Sequence, residues 1–141
     1  MGATSVQQVN EFCVVLGNAP GALAKLSGVL AGANVNIEAL ASLSDGPAPT
    51  MRLCFVANNE AGAKDALASL GMEYTEKTIL ALHNPDKPGV IAKVAQMLGD
   101  AGVNIDNIYF STPGDLQDTI VYIDAGDGLT KAAELLHGLE H

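Results

Sequence analysis

Residues Asn18–Leu40 read NAPGALAKLSGVLAGANVNIEAL, and residues Asp86–Ile108 read DKPGVIAKVAQMLGDAGVNIDNI. The two align without a gap at an offset of 68 residues, the step from Pro20 to Pro88 and from Asn36 to Asn104. Pro20, Gly21, Ala24, Lys25, Leu30, Ala33, Val35, Asn36 and Ile37 recur as identical residues. Pairs such as Leu23/Ile91, Leu26/Val94 and Glu38/Asp106 keep their chemical type. A register held over the whole stretch marks an internal duplication.

Each copy opens on a proline, which suits the first turn of a helix because its missing N–H costs nothing there. Leu23, Leu26, Leu30 and Ala33 then fall on one face of a 3.6-residue period, and Ile91, Val94, Leu98 and Ala101 repeat it. The first helix is expected over about Pro20–Ala33. Small or amide residues at Ala33-Asn34 and Ala101-Gly102 suit a left-handed exit. Upstream, Val6–Leu16 is strand-like, with Phe12, Val14 and Leu16 on one face and Cys13 and Val15 on the other. Downstream, strands are expected at Val35–Leu43 and Met51–Val56, joined by a turn through residues 45–49. A second helix is expected over Glu60–Leu70, capped by Asn58 or Asn59 and stopped at Gly71. The second copy repeats this: strand Val103–Ser111, a turn at Pro113-Gly114-Asp115, strand Thr119–Ile123, and a helix from Asp127 to about His137.

The unit is therefore strand, helix, strand, strand, helix, and Met72–Lys77 gives the first copy a fourth strand. That order, βαββαβ, is the ferredoxin-like arrangement. The expected class is α+β: two ferredoxin-like βαββαβ units, residues 5–77 and 78–138, fused into an antiparallel sheet with helices on one face. No breaker separates Met72–Lys77 from Thr78–Leu82. Two long strands, about 5 to 16 and 73 to 83, are expected to cross antiparallel, so that residues 4–9 supply the second unit's fourth strand. The alternative is an incomplete second unit.

At 141 residues the chain suits one ordinary domain or two very small ones. A lone 68-residue unit would bury a low fraction of its surface, so two units that pack together are the easier solution. The hydrophobic content of 48% is enough for a core, but with 4% aromatics and no tryptophan it must be built from Val, Ile, Leu and Ala. The formal charge of −9, with Arg52 as the only arginine, excludes a phosphate-neutralising groove and argues against an acidic membrane surface. No apolar run is long enough to span a bilayer, no signal-peptide pattern opens the chain, and a cytoplasmic location is expected. Leu139-Glu140-His141 has the look of the start of an expression tag. Cys13 and Cys54 each lie in an apolar strand run and are expected as free buried thiols that pack like small hydrophobes. Neither a CxxC nor a Cys/His cluster suggests a metal, and no cofactor motif is present.

The βαββαβ order, with (Asp/Asn)-x-Pro-Gly at the first strand-to-helix turn and Val-Asn-Ile at the start of strand two, resembles the ACT domain. Asn18-Ala19-Pro20-Gly21 with Val35-Asn36-Ile37 is one match, and Asp86-Lys87-Pro88-Gly89 with Val103-Asn104-Ile105 is the other. The resemblance covers nearly the whole chain and implies a tandem amino-acid-sensing module without a catalytic domain. It implies a ligand where two units meet, near Asn18, Pro20, Gly21, Asn36 and Ile37, and near Asn84, Asp86, Gly89, Asn104 and Ile105. The physical chemistry suits a free amino acid. Glycine lets the backbone approach a ligand, a helix N-terminus favours a carboxylate, and the Asn and Asp side chains can accept from an ammonium. The serine-inhibited regulatory domain of phosphoglycerate dehydrogenase has a similar pair of asparagines, plus a histidine two residues before the first. That position is Leu16 here in one copy and Asn84 in the other, a departure that puts serine itself in doubt. Asp86 in place of an asparagine favours an ammonium over a carboxylate, so the two sites are expected to differ.

Structural roles compete for the same residues. Asn18 and Asp86 are also ordinary helix caps, Asn36 and Asn104 ordinary turn residues, and the glycines suit a turn or close helix packing. Arg52 and His83 read as surface groups on strands. Tyr109 and Phe110 must point to opposite faces. No Ser/His/Asp or Cys/His set is brought together by the topology, so catalysis is not expected. The function expected is binding of an amino acid and transmission of that state to a partner, through a homodimer or a separate metabolic enzyme. Two alternatives stand beside it. Asn36–Leu40 followed by Met51-Arg52-Leu53 resembles the acetolactate synthase small subunit, a regulatory subunit of a biosynthetic enzyme. Tandem-ACT regulators of glycine cleavage offer a ligand-independent interaction protein.

Overall fold

The computed structural model describes residues 5–17, 19–44, 49–85, 89–111 and 118–139. The elements run β1 (Ser5–Gly17), α1 (Ala22–Gly32), β2 (Ile37–Ser44), β3 (Thr50–Ala57), α2 (Glu60–Ser69), β4 (Tyr74–Pro85), α3 (Val90–Asp100), β5 (Asn107–Ser111) and β6 (Asp118–Asp124). A 3-10 turn, Gly126–Gly128, then leads into α4 (Leu129–His137). The class is α+β, with four α-helices among the described residues, and the strand pairings described are antiparallel. The loop residues expected at 45–48 and 113–115 lie outside the described residues.

The chain divides into two compact units, Asn10–Lys77 and Thr78–His141 with Met1–Val9. β1 and β4 are each long enough to contribute to both, the second because no breaker interrupts residues 72–82. In the unit Asn10–Lys77 the strand order is β2-β3-β1-β4. Phe12, Val14 and Leu16 of β1 pack on Leu26 and Leu30 of α1, Leu53 and Phe55 of β3 and Leu67 of α2. The Phe12 and Phe55 rings stack with centroids 5.5 Å apart. The other unit has the order β1-β4-β6-β5. There Val6 joins Leu80, Leu82, Val94, Leu98, Val121, Ile123 and Leu136 in one core.

The 68-residue repeat extends to the hydrogen-bonded register. Cys13 stands opposite Cys54 as Ala81 stands opposite Tyr122, and Leu40 opposite Phe55 as Ile108 opposite Ile123. The helix exits repeat as well. The Val35 N–H bonds back to the Leu30 carbonyl at 2.9 Å and the Asn34 N–H to Ala31 at 3.0 Å, with Asn34 at φ 60°. Val103 and Gly102 make the same two bonds, to Leu98 and Gly99, with Gly102 at φ 76°. These are Schellman exits, each needing one left-handed residue, and they orient a valine into the core behind the helix. They also explain why β2 and β5 start at Ile37 and Asn107, later than the expected Val35 and Val103: the valines are committed to the turn.

Candidate functional site

The two strand-to-helix turns carry the same backbone device. Gly21 has φ 87° and Gly89 φ 92°, a left-handed conformation that side-chain-bearing residues rarely adopt. A Cβ built on either would meet nothing within 4 Å, so the glycines serve the conformation and not close packing. Each occupies the N-cap: its carbonyl accepts the first helical bond, from Lys25 at 3.0 Å and from Lys93 at 2.9 Å. Among the described residues no side chain caps α1 or α3, and neither helix has an acidic residue in its first turn. Among the described residues the first-turn N–H groups and the positive end of each helix have no side-chain partner, in an exposed setting suited to an anion. Pro20 lies just before this turn and is exposed. Asn18 and Asp86, expected beside it, lie outside the described residues.

Asn36 and Asn104 precede the edge strands and are exposed. The main chain of Asn36 is clamped, its N–H donating to Asn58 Oδ1 at 2.8 Å and its carbonyl accepting from the Asn58 N–H at 3.1 Å. Asn59, not Asn58, caps α2, its Oδ1 accepting from the Gly62 N–H at 3.0 Å. The Asn104 side chain donates to Asp106 Oδ1 at 2.7 Å. Ile37 and Ile105 are half-buried, each packed against the core of its own unit.

Asn84 is the candidate whose surroundings differ most between the copies. It is buried on β4 opposite Thr119, also buried, and its Nδ2 donates to the Leu82 carbonyl at 3.3 Å. The matching pair in the other copy is Leu16 opposite Met51. One unit thus has a polar pair at the strand end leading to its helix turn, and the other has an apolar pair.

Three features depart from, or add to, the sequence expectations. Cys13 and Cys54 are not separate thiols: they form a disulfide across β1 and β3, with Cα atoms 4.1 Å apart. The antiparallel ladder sets them directly opposite, the short Cα–Cα distance of a non-hydrogen-bonded pair. Glu11, one turn of the pleat along β1, is 1% exposed and brings Oε1 to 3.4 Å from Cys13 Sγ. Cys13 also lines a cavity of about 730 Å³ with Val15, Arg52 and the segment Gly71–Thr75. Tyr109 stacks on Tyr122, centroids 5.2 Å apart, while Phe110 on the opposite face is 61% exposed. His83 is half-buried and Arg52 exposed, both on strands. No helix among the described residues is long and apolar enough to cross a membrane.

Residues 78–141 match the ACT domain family. Among solved structures the chain is similar to protein BT0572 from Bacteroides thetaiotaomicron, at 23% identity and TM-score 0.83, over 94% of this chain and 89% of that one. It is similar to the ligand-free regulatory subunit of aspartate kinase from Thermus thermophilus, at 19% identity and TM-score 0.70, over 98% and 97% of the two chains. It also resembles aspartokinase III of E. coli in complex with lysine and aspartate, at 14% identity and TM-score 0.58, over 97% of this chain and 32% of that one. No curated protein matches the chain. The segment 78–141 is an ACT domain, and the remainder repeats its topology, register and glycine turns.

Proposed function

We propose that this ACT-domain chain is a non-catalytic regulatory protein that binds a free amino acid and passes its bound state to a partner. The observation that carries the reading is the repeated helix N-terminus behind a left-handed glycine, at Gly21 and again at Gly89, with no side-chain cap among the described residues. Such a turn offers free N–H donors and half a positive charge to a carboxylate. Asn36 and Asn104 supply amide groups for the ammonium end, with Ile37 and Ile105 behind them. The regulatory subunit of aspartate kinase, with which the chain shares its fold, favours amino-acid metabolism as the setting and a separate enzyme as one partner.

The two sites are not equivalent in this reading. Asn84 opposite Thr119 gives the ACT segment a polar floor that Leu16 opposite Met51 does not give the other copy. A ligand with a polar side chain therefore favours the second site. Self-association is the second route of transmission. Leu23 and Leu40 in one copy and Ile91 and Ile108 in the other are each 37–40% exposed, so matched apolar groups sit on the first helix and edge strand of each unit. Both support a homodimer through those edges.

A thermal-shift screen over the common amino acids tests the proposal, since a ligand specific to the folded state raises the melting temperature. The expected result is one amino acid, or a small chemical group of them, that stabilises at millimolar concentration. Asn36→Ala and Asn104→Ala should then reduce the shift. A flat screen, with a large enzyme co-purifying instead, would favour the ligand-independent subunit.

A further inference from the structure

Outside the two helix turns, chemistry concentrates at one place in the unit Asn10–Lys77. Glu11 and Cys13 project from the same face of β1, and Cys54 stands opposite Cys13 on β3. All three are buried, at 1%, 4% and 6% exposure. The second copy is an internal control on what folding requires there. At the same register it places Ile79, Ala81 and Tyr122, with Ala81 opposite Tyr122. Those three positions thus hold an aliphatic, a methyl and an aromatic ring, while a buried carboxylate, Asp124, stands where the first copy has Val56 opposite Glu11. Packing alone does not call for two sulfurs beside the carboxylate.

The geometry fits a cation. In a tetrahedral zinc site, Zn–S of about 2.3 Å and Zn–O of about 2.0 Å set a thiolate sulfur and a carboxylate oxygen roughly 3.5 Å apart. Cys13 Sγ and Glu11 Oε1 are 3.4 Å apart. The ligand atoms of Glu11, Cys13 and Cys54 all lie within 4.8 Å of one another. Once reduced, the two sulfurs must part to roughly 3.8 Å to share such an ion. Rotation about each Cα–Cβ bond supplies this while the ladder keeps the strands in place. The cavity reaches Cys13 but is not lined by Glu11 or Cys54, so an ion or a small reductant would approach from the Cys13 side.

We propose that Glu11, Cys13 and Cys54 form a redox-gated site for a thiophilic divalent cation of the zinc class. In the oxidised chain the Cys13–Cys54 S–S bond closes the site. A dithiol reductant delivers two electrons and two protons, itself becoming a disulfide, and leaves two thiols. The cation then displaces those two protons to water and is held by two thiolates and the Glu11 carboxylate, a set carrying net charge −1 with the ion. A low-molecular-weight disulfide that takes two electrons from the thiolates and two protons from water, itself becoming two thiols, re-forms the Cys13–Cys54 bond and releases the cation. The site is separate from the helix turns and does not depend on the amino-acid reading.

The test uses the untagged full chain, reduced with a phosphine, freed of reductant without oxygen, and titrated with Co²⁺ and then Zn²⁺. Thiolate-to-cobalt charge-transfer absorption reports sulfur ligation, and a chromophoric chelator reports zinc affinity. One equivalent per chain is expected in the reduced protein and none in the oxidised one. Cys13→Ala, which installs the residue that the second copy holds at this register, should abolish binding with the fold intact. Glu11→Gln should weaken Zn²⁺ binding by about tenfold or more while the thiols still close to a disulfide. Reduced protein that binds no more cation than Cys13→Ala overturns the proposal. So does a Glu11→Gln variant with unchanged affinity.

Discussion

Reducing the Cys13–Cys54 bond should cost the protein a measurable share of its stability, and the sequence separation sets how much. The bond closes a loop across a separation of 41 residues. In the chain-entropy account, a loop of that length removes about 13 cal/mol/K from the unfolded ensemble, or about 4 kcal/mol at 25 °C. The folded state gives little back, because the β1–β3 ladder holds the two residues opposite each other whether or not they are bonded. Residual structure in the unfolded chain lowers the figure, so about 4 kcal/mol is an upper value. With a urea m-value of about 2 kcal/mol/M, the unfolding midpoint should fall by as much as roughly 2 M on reduction. The assay is equilibrium urea unfolding by far-UV circular dichroism, with and without a phosphine reductant, in the presence of a metal chelator. Cys13→Ala serves as the control that should not respond to reductant. A wild-type midpoint that moves by less than about 0.5 M would refute the reasoning, either because the bond does not form in solution or because the unfolded chain is already constrained.

Two glycines in helices should respond in opposite directions to alanine. Gly28 is exposed in α1 with nothing near a built Cβ, so Gly28→Ala should stabilise by about 0.5–1 kcal/mol. At Gly62 a Cβ would lie 2.6 Å from Asn59 Nδ2 and 2.9 Å from Val35 Cγ2, so Gly62→Ala should destabilise by about 1–2 kcal/mol despite the propensity gain. Asn59→Ala should cost about 1 kcal/mol through loss of the α2 cap, read as a drop in the urea midpoint with an unchanged m-value. The double change Asn84→Leu with Thr119→Met copies the apolar pair of the other unit, and should leave stability unchanged or higher. It should weaken binding of any amino acid held at the second turn by about 10- to 100-fold, the worth of one or two hydrogen bonds to a charged group, measured by calorimetry.

What was legible in the sequence is what repeats. The helix faces, the helix stop at Asn34 and Gly102, the glycine turns and the unbroken β4 all follow from local chemistry written twice. Boundaries moved at several elements: α1 starts at Ala22 and not Pro20, α4 at Leu129 and not Asp127, and Val35 and Val103 close their helices before the strands open. The Cys13–Cys54 pair was not legible, for a physical reason. β1 and β3 are neighbours in the sheet but are separated in sequence by α1 and β2, and a one-residue slip in their register would send one sulfur to the opposite face. Neither run fixes that register alone. The burial of Glu11 was hidden for the same reason: alternation places it on a face without revealing what that face meets. At the candidate amino-acid site the backbone was readable and the side-chain surroundings were not, because glycine and proline fix a turn locally while Asn84 is set by strand pairing with Thr119, 35 residues on.

The two copies separate what folding needs from what it merely permits. They agree in left-handed glycines, in Schellman exits and in the pairing of every strand row compared. They disagree at buried positions where disagreement is costly: Leu16/Met51 against Asn84/Thr119, and Glu11/Cys13/Cys54 against Ile79/Ala81/Tyr122. A buried carboxylate or amide costs free energy unless its hydrogen bonds are met, whereas the apolar version of the same row carries no such condition. Since one copy forms the same rows without the sulfurs and the other without the Asn84 amide, packing alone does not call for either set, although the Cys13–Cys54 bond adds to stability. Buried polar differences fall in both units, at different places in the frame, with Asp124 in place of Val56 as a further one. The duplicated backbone therefore carries two unlike groupings, a buried polar pair at the strand end that precedes one helix turn and a sulfur–carboxylate cluster in the other unit's sheet, and the asymmetry between the copies is where specific chemistry should be sought.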